Sequence, residues 1–344
     1  MPFLIIQFVA LSAVVATAGT FLARSADRIA ESTGLGRLFV GSVLLAAATS
    51  LPELSVDVAA VRGGMIDLAA GDLLGSSLMN LLILAGVDLA QRSGRRMLSR
   101  EAASHALSAT LSIALTGLVG MAVLTAGRLP AVTFLGVGGW SWAILAAWML
   151  GARMLFIDQR ISVRAAVEAE AAAGGTVRDR ASQGVAERTT ILIPVLVFLA
   201  AAIALLVAGP WLAFLADQLA EQSGWGQTFV GTTLVAVTTS LPELVASIAA
   251  VRMGAFDLAI GNTFGSNAFN MILFMPLDAC HTGPLFTAVS PAHAVTALAV
   301  IIATAIAVLG QLYHEERRIP VLEPDALLVF LVVIAALVMV YRLS

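Results

Sequence analysis

The 344-residue chain is short of charge: only 12% of its residues are Asp, Glu, Lys or Arg, against about 25% in soluble domains. Together with 59% hydrophobic residues and a mean hydropathy of +0.95, that shortage excludes a soluble globular protein. There is one cysteine, Cys280, so no internal disulfide framework exists and the redox compartment cannot be read from it. Lysine is missing altogether. The 19 basic residues are all arginines in short scattered groups, which argues against a nucleic-acid surface. The 29 glycines follow no strict period, so collagen is excluded as well.

What is abundant is apolar sequence in long runs. Ten runs of spanning length, each near the roughly 20 residues that cross a bilayer as a helix, extend over Pro2 to Leu22, Leu38 to Val61, Ile66 to Ala90, Ala103 to Leu124, Ala131 to Leu155, Ile191 to Ala216, Thr228 to Val251, Phe256 to Cys280, Ala288 to Gly310 and Asp325 to Val340. The lipid bilayer is therefore the expected partner. The first run is expected to remain as a helix, because Met1 to Gln7 carry no basic residue to make a signal-peptide start.

Cytoplasmic loops carry the basic excess, and the arginines alternate accordingly. Sixteen of the 19 fall on one side: Arg24, Arg28, Arg37, Arg92, Arg95, Arg96, Arg100, Arg153, Arg160, Arg164, Arg178, Arg180, Arg188, Arg252, Arg317 and Arg318. Only Arg62, Arg128 and Arg342 fall on the other. The expectation is an all-α polytopic protein of the plasma (inner) membrane, with both termini outside the cytoplasm. Residues 156–190 join the fifth and sixth runs on the Arg-rich side. Within them VRAAVEAEAAA suits a short surface helix and GGTVRDRASQG a flexible linker.

The chain repeats itself. FVGSVLLAAATSLPELSVDVAAVRGGMIDLAAGDLLGSSLMN from Phe39 recurs as FVGTTLVAVTTSLPELVASIAAVRMGAFDLAIGNTFGSNAFN from Phe229, with a constant offset of 190 and no gap. Each copy covers the second and third runs of a five-run half. Five is odd, so the second half enters the membrane the other way up. The sequence thus divides into 1–155, a linker at 156–190, and 191–344, giving ten transmembrane helices in two inverted five-helix repeats. Secondary transporters share that organisation, with a binding site at the midplane where the repeats meet.

Each copy places Glu53 or Glu243 in mid-span, where charge is costly and marks a site or a partner. Pro52 and Pro242 precede them and break the helix, directing freed carbonyls into the same cavity. Thr49, Ser50, Thr239 and Ser240 offer hydroxyls. Ser76 with Asn80, and Ser266 with Asn270, sit four apart on one helix face. Gly71, Gly75, Gly261 and Gly265 permit close helix approach. The donor inventory is all oxygen, which suits hard cations such as Ca2+, with about six to eight oxygens each, or monovalent ions with protons.

At TSLPEL, Thr49 to Leu54 and Thr239 to Leu244, and at GDLLGSSLMN and GNTFGSNAFN, the chain resembles the sodium/calcium exchanger family of the cation/calcium antiporter superfamily, with its two alpha-repeats. The resemblance covers the whole ten-span layout. It implies that Glu53 and Glu243 are the central Ca2+ and Na+ ligands. It further implies that Thr49, Ser50, Thr239, Ser240, Ser76, Ser266 and the backbone carbonyls of Ala46 and Ala236 complete the ion sites, with Asn80 and Asn270 as a site-lining polar pair. Potassium-dependent relatives look acidic where Asn270 stands, so no K+ requirement is implied.

Two acids depart from the family pattern. Asp72 replaces a motif asparagine that the second repeat keeps as Asn262, and Asp57 stands where the second copy has Ser247. Three roles stay open for them: a proton-titrating site, an added cation ligand, or a partner of an arginine near the membrane surface. Asp67 and Asp257 are expected to cap the third and eighth spans, and Asp88 and Asp278 to be interfacial. His105, His281, His293 and His314 form no ligand cluster in the sequence, and Trp140, Trp142 and Trp148 suit interface anchoring or lipid packing.

The expected function is Ca2+/Na+ exchange by alternating access, with Ca2+/H+ exchange on the same fold as the alternative. The transported ions Ca2+ and Na+ take the place of any cofactor, and no obligate protein partner is evident. A passive channel fits less well, since it needs weak multi-site binding along a pore. Intramembrane hydrolysis lacks any Ser/Lys, Asp/Asp or HExxH arrangement.

Overall fold

The computed structural model describes residues 2–90, 105–130, 132–172, 191–223, 237–312 and 324–343. Its helices are α1 (Pro2–Thr33), α2 (Arg37–Thr49), α3 (Leu51–Arg62), α4 (Ile66–Ala90), α5 (His105–Thr125), α6 (Gly139–Ala172), α7 (Leu192–Ser223), α8 (Leu241–Arg252), α9 (Phe256–Cys280), α10 (His293–Leu312) and α11 (Pro324–Leu343). Six of them, α1, α4, α5, α6, α7 and α10, are long and apolar enough to cross a membrane. Helices α2 and α3 together form a further candidate, bent by 43°. Helix α9 is too polar to count on composition, and the reason lies in its place. Most of its length is buried, from Leu258 to Phe274 without a gap apart from Phe269, so its polar residues face protein.

The runs Ile66 to Ala90 and Phe256 to Cys280 are helices with those bounds. Others depart from expectation for local reasons. Helix α1 continues past Leu22 to Thr33 because Ala26, Ile29 and Ala30 find buried positions. The run from Ala131 does not begin as helix. Thr133–Phe134 and Val137–Gly138 pair as a hairpin instead, turned by Leu135 and Gly136 at φ 53° and 80°. Helix α6 then runs unbroken to Ala172, so VRAAVEAEAAA prolongs a spanning helix rather than forming a separate one. The seventh run up to Ala236, Ala236 itself, residues 173–190, His314, and Arg92, Arg95, Arg96, Arg100, Arg178, Arg180, Arg188, Arg317 and Arg318 lie outside the described residues.

Glycines set the closest helix crossings. A Cβ on Gly41 would stand 2.7 Å from the Leu258 carbonyl oxygen, and one on Gly261 would stand 2.7 Å from that of Leu38. At Gly265 it would stand 2.4 Å from both Cα and O of Ser42. Thus α2 and α9 touch backbone to backbone. Gly71 instead lies against His293. Helix α1 crosses the second half's broken span with Gly19 against Val245 and the Pro242 carbonyl, and α7 crosses the first half's with Gly209 against Pro52. Gly19 and Gly209 are separated by the same 190 residues as Pro52 and Pro242, so the repeat relation reaches beyond the motif itself.

Polar ties also run between the halves. His105 Nε2 on α5 lies 3.0 Å from Asp257 Oδ1 on α9, and His293 Nε2 on α10 lies 3.2 Å from Asp67 Oδ1 on α4. Asp67 also accepts the Ser290 N–H at 2.7 Å. The two aspartates therefore join one half to the other, rather than only capping their own helices. Asp278 is fully buried, not interfacial. It accepts from Gly138 N–H, the Ser141 hydroxyl and Leu285 N–H, pinning the hairpin and the 3-10 turn Leu285–Thr287 onto the end of α9. Asp88 is buried too. Trp142 donates to the Phe134 carbonyl at 3.0 Å and Trp148 packs edge-on against Phe269.

Substituting Gly265→Ala should lower stability by about 3 kcal/mol, the upper end of overpacking costs, because the obstacle is backbone and cannot rotate away. Gly86→Ala, at an exposed position with open space around it, should be neutral or slightly stabilising. Thermal unfolding of the detergent-purified variants checks the contrast; equal melting temperatures would contradict it.

Candidate functional site

The site is built around two matching breaks. Ser50 ends α2 at φ −87°, ψ 8°, and Ser240 ends the helical stretch 237–239 at φ −82°, ψ 3°. Pro52 and Pro242 have no N–H for the carbonyl four residues earlier, yet fit the first turn of a new helix well. The chain therefore restarts as α3 and α8. Glu53 and Glu243 fall in those first turns, where the helix dipole and free amides favour negative charge. That helps offset the cost of burying an acid in the protein interior.

Ser50-Leu51-Pro52-Glu53 and its second copy spell a capping box, but neither serine caps its helix. Both hydroxyl oxygens are buried with no hydrogen-bond partner. Glu53 and Glu243 are 1% and 2% exposed, near enough for their charges to act on one another. No full hydrogen bond ends on Glu53 Oε2 or on either carboxylate oxygen of Glu243. The Thr49 and Ser50 hydroxyls of the first half face Glu243 of the second.

The surrounding oxygens come from both halves. Thr49 Oγ1 lies 3.2 Å from the Ala46 carbonyl, 3.4 Å from Asn262 Oδ1 and 3.4 Å from Ser266 Oγ. The Ala46 carbonyl also accepts the Ser50 N–H at 3.0 Å. Thr239 Oγ1 lies 3.5 Å from Asp72 Oδ1, so each threonine meets the position-equivalent residue, Asn262 or Asp72, of the opposite repeat. Ser76 and Ser266 are fully buried, and Ser76 Oγ has no partner. Asn80 and Asn270 are 2% and 1% exposed. Each donates its amide N–H elsewhere, and each keeps Oδ1 buried and unpartnered. Among the described residues no three His, Cys, Asp or Glu side chains form a metal cage. The arrangement is instead two carboxylates, with Asp72 close by, among hydroxyl, amide and carbonyl oxygens, several of them acceptors with no donor. Such a set fits a hard cation.

Asp57 and Asp72 are 1% and 6% exposed and face each other. Among the described residues they interact with each other and Thr239, and no arginine pairs with them. Two residues without a role in the sequence reading enter here. Asn262 meets Thr49, and Asn267 bridges α9 to α4. The available signal was an amide inside a span, where an unpaired polar group is expensive.

The chain matches the sodium/calcium exchanger protein family over residues 3–162 and 193–340. It is 29% identical over 259 residues to the inner membrane protein YrbG of Escherichia coli, covering 75% of this chain and 74% of that one. It is 45% identical over 75 residues to the sodium/calcium exchanger MaX1 of Methanosarcina acetivorans, covering 20% of this chain and 21% of that one. Among solved structures, the sodium-calcium exchanger NCX_Mj soaked with Na+ and Sr2+ superposes with a TM-score of 0.66 at 18% identity, covering 98% of this chain and 99% of that one. At that identity the likeness concerns the fold. The family match over most of its length makes the chain a member of the sodium/calcium exchanger protein family, an integral membrane cation antiporter.

Proposed function

We propose that this antiporter exchanges Ca2+ for Na+ by alternating access, both ions competing for the oxygens around Glu53 and Glu243. The observation that carries the reading is the pair of buried carboxylates at matching helix breaks, ringed by hydroxyl and amide oxygens that no donor reaches. Two carboxylates balance one Ca2+. Emptied of Ca2+, the same charge calls for Na+ in its place, and the shared ligands make the two occupancies exclusive. An exchange of unequal charge responds to voltage at about 2.3 kcal/mol per elementary charge per 100 mV.

In this reading the chain spans the plasma (inner) membrane ten times, as two inverted five-helix halves, 1–155 and 191–344, joined by the cytoplasmic linker 156–190. Helices α1 and α7 slide over the core. The crossings of Gly19 on Pro242 and Gly209 on Pro52 support this, since a glycine at each crossing leaves no side chain of α1 or α7 to interlock with the core there. The ligand set is Glu53, Glu243, Asn80, Asn270, Thr49, Ser50, Thr239, Ser240, Ser76 and Ser266, with the carbonyls of Ala46 and Ala236. A neutral Asn270 gives no reason for K+ dependence. One observation favours a second reading, Ca2+/H+ exchange: Asp57 and Asp72 face each other in the interior, where a shared proton relieves their repulsion.

In proteoliposomes, an outward Na+ gradient should drive uptake of radiolabelled Ca2+. Uptake driven by a pH gradient with Na+ absent would select the proton reading instead. Glu53→Gln and Glu243→Gln should each abolish exchange while the protein still elutes as a single monodisperse peak; normal transport by either would remove that glutamate from the site. For the orientation, Ser344→Cys in a Cys280→Ser background should react with a membrane-impermeant thiol reagent on intact cells. Labelling only after permeabilisation would reverse the topology.

A further inference from the structure

Asn267 lies next to the ion-site serine Ser266 but is not in the ligand set, and its hydrogen bonds point to a different task. Its Nδ2 donates to the Ser77 backbone carbonyl at 3.1 Å, and its Oδ1 accepts from Asn80 Nδ2 at 3.0 Å. A backbone carbonyl can only accept. The Ser77 carbonyl therefore fixes which end of the Asn267 amide faces α4: nitrogen toward Ser77, oxygen toward Asn80. An amide oxygen can likewise only accept, so Asn80 must present its N–H to Asn267. Its own Oδ1 is then turned the other way, where it is buried with no partner.

We propose that Asn267 is a positioning residue that orients the Asn80 amide, so that oxygen rather than N–H faces the cation. This rests on Asn80 lining the ion site. The relay belongs to one repeat only. The residue equivalent to Asn267 in the first repeat is Ser77, whose hydroxyl turns back to the Leu73 carbonyl at 2.9 Å. Asn270 needs no intermediary, because its Nδ2 reaches the Leu73 carbonyl directly at 3.4 Å. Both asparagines are thus oriented from carbonyls one turn apart on α4, one directly and one through Asn267. Without Asn267, the Asn80 amide is free to turn a partial positive charge toward the ion.

The test is the KM for Ca2+ in Ca2+/Ca2+ self-exchange by proteoliposomes, which is independent of the coupling ion. Asn267→Ala should raise KM by about 10-fold, the low end of what loss of a ligand-orienting partner costs, with the maximal rate near wild type. Asn80→Ala should raise KM as well, and the double variant should match Asn80→Ala alone, since Asn267 acts only through Asn80. A KM within twofold of wild type for Asn267→Ala, or effects that multiply in the double variant, would overturn the relay. Wild-type KM for Asn80→Ala would instead remove Asn80 from the site, and the relay with it. If Asn267→Ala does not purify as a monodisperse protein, Asn267→Ser carries the same comparison, because serine is too short to reach Asn80.

Discussion

Two carboxylates held in the interior of a helical bundle, each beside other acids, are the constraint from which the rest of this structure follows. Isolated negative charge in a low-dielectric interior is far more expensive than any single packing contact gains. The fold answers with partial charges that need no basic side chain. Each of two helices is cut at a serine two residues before a proline and restarted, which brings a helix N-terminus into the interior with a glutamate in its first turn. Hydroxyls and amides supply dipoles around it. In the proposed cycle the remaining positive charge comes from the ions themselves, and the site is strongly inclined to be refilled each time it is emptied.

Placing those broken helices side by side demands that backbones meet with little between them. Gly41, Gly261 and Gly265 provide that between α2 and α9, and the contact is reciprocal, glycine against carbonyl in both directions. A close, side-chain-free seam has a second effect. It fixes the relative height of the two helices, and with it the distance from Thr49 to Asn262 and Ser266. Helix packing and the geometry of the candidate site are therefore one property at this seam. The histidine and aspartate ties at the two ends act in the same direction, holding α5 and α10 to the opposite half.

Much of this was legible in the sequence because the repeat is long and ungapped. The bounds of α4 and α9, the helix breaks at the prolines, and the polar face of Ser76 and Asn80 all follow from local pattern. Other features depend on distant partners. Asp67 and Asp257 read as caps because their helices begin there, whereas their hydrogen bonds go to residues of the other half. The two histidines do not share the 190-residue offset of the motif, so the repeat alignment does not pair them. The hairpin before α6 was hidden because its residues are as apolar as the helix that follows. Asn267 is silent in the sequence because its role depends on two hydrogen bonds to α4, and no local pattern announces either.

Asp67 meets Ser290 across 223 residues of chain. At a synthesis rate of about 5–20 residues per second, the ribosome takes roughly 10–45 s to deliver the second of these after the first. For much of that interval, until residues 239–270 are made, the first half carries Glu53, Asp57, Asp72 and Asn80 without the second-half residues Thr239, Glu243 and Asn267 that meet them. Biogenesis thus includes a waiting period in which a half-built, polar-seamed bundle has to be kept from aggregating or being degraded. The lateral seal of the proposed ion site is completed only when the late-made helices arrive.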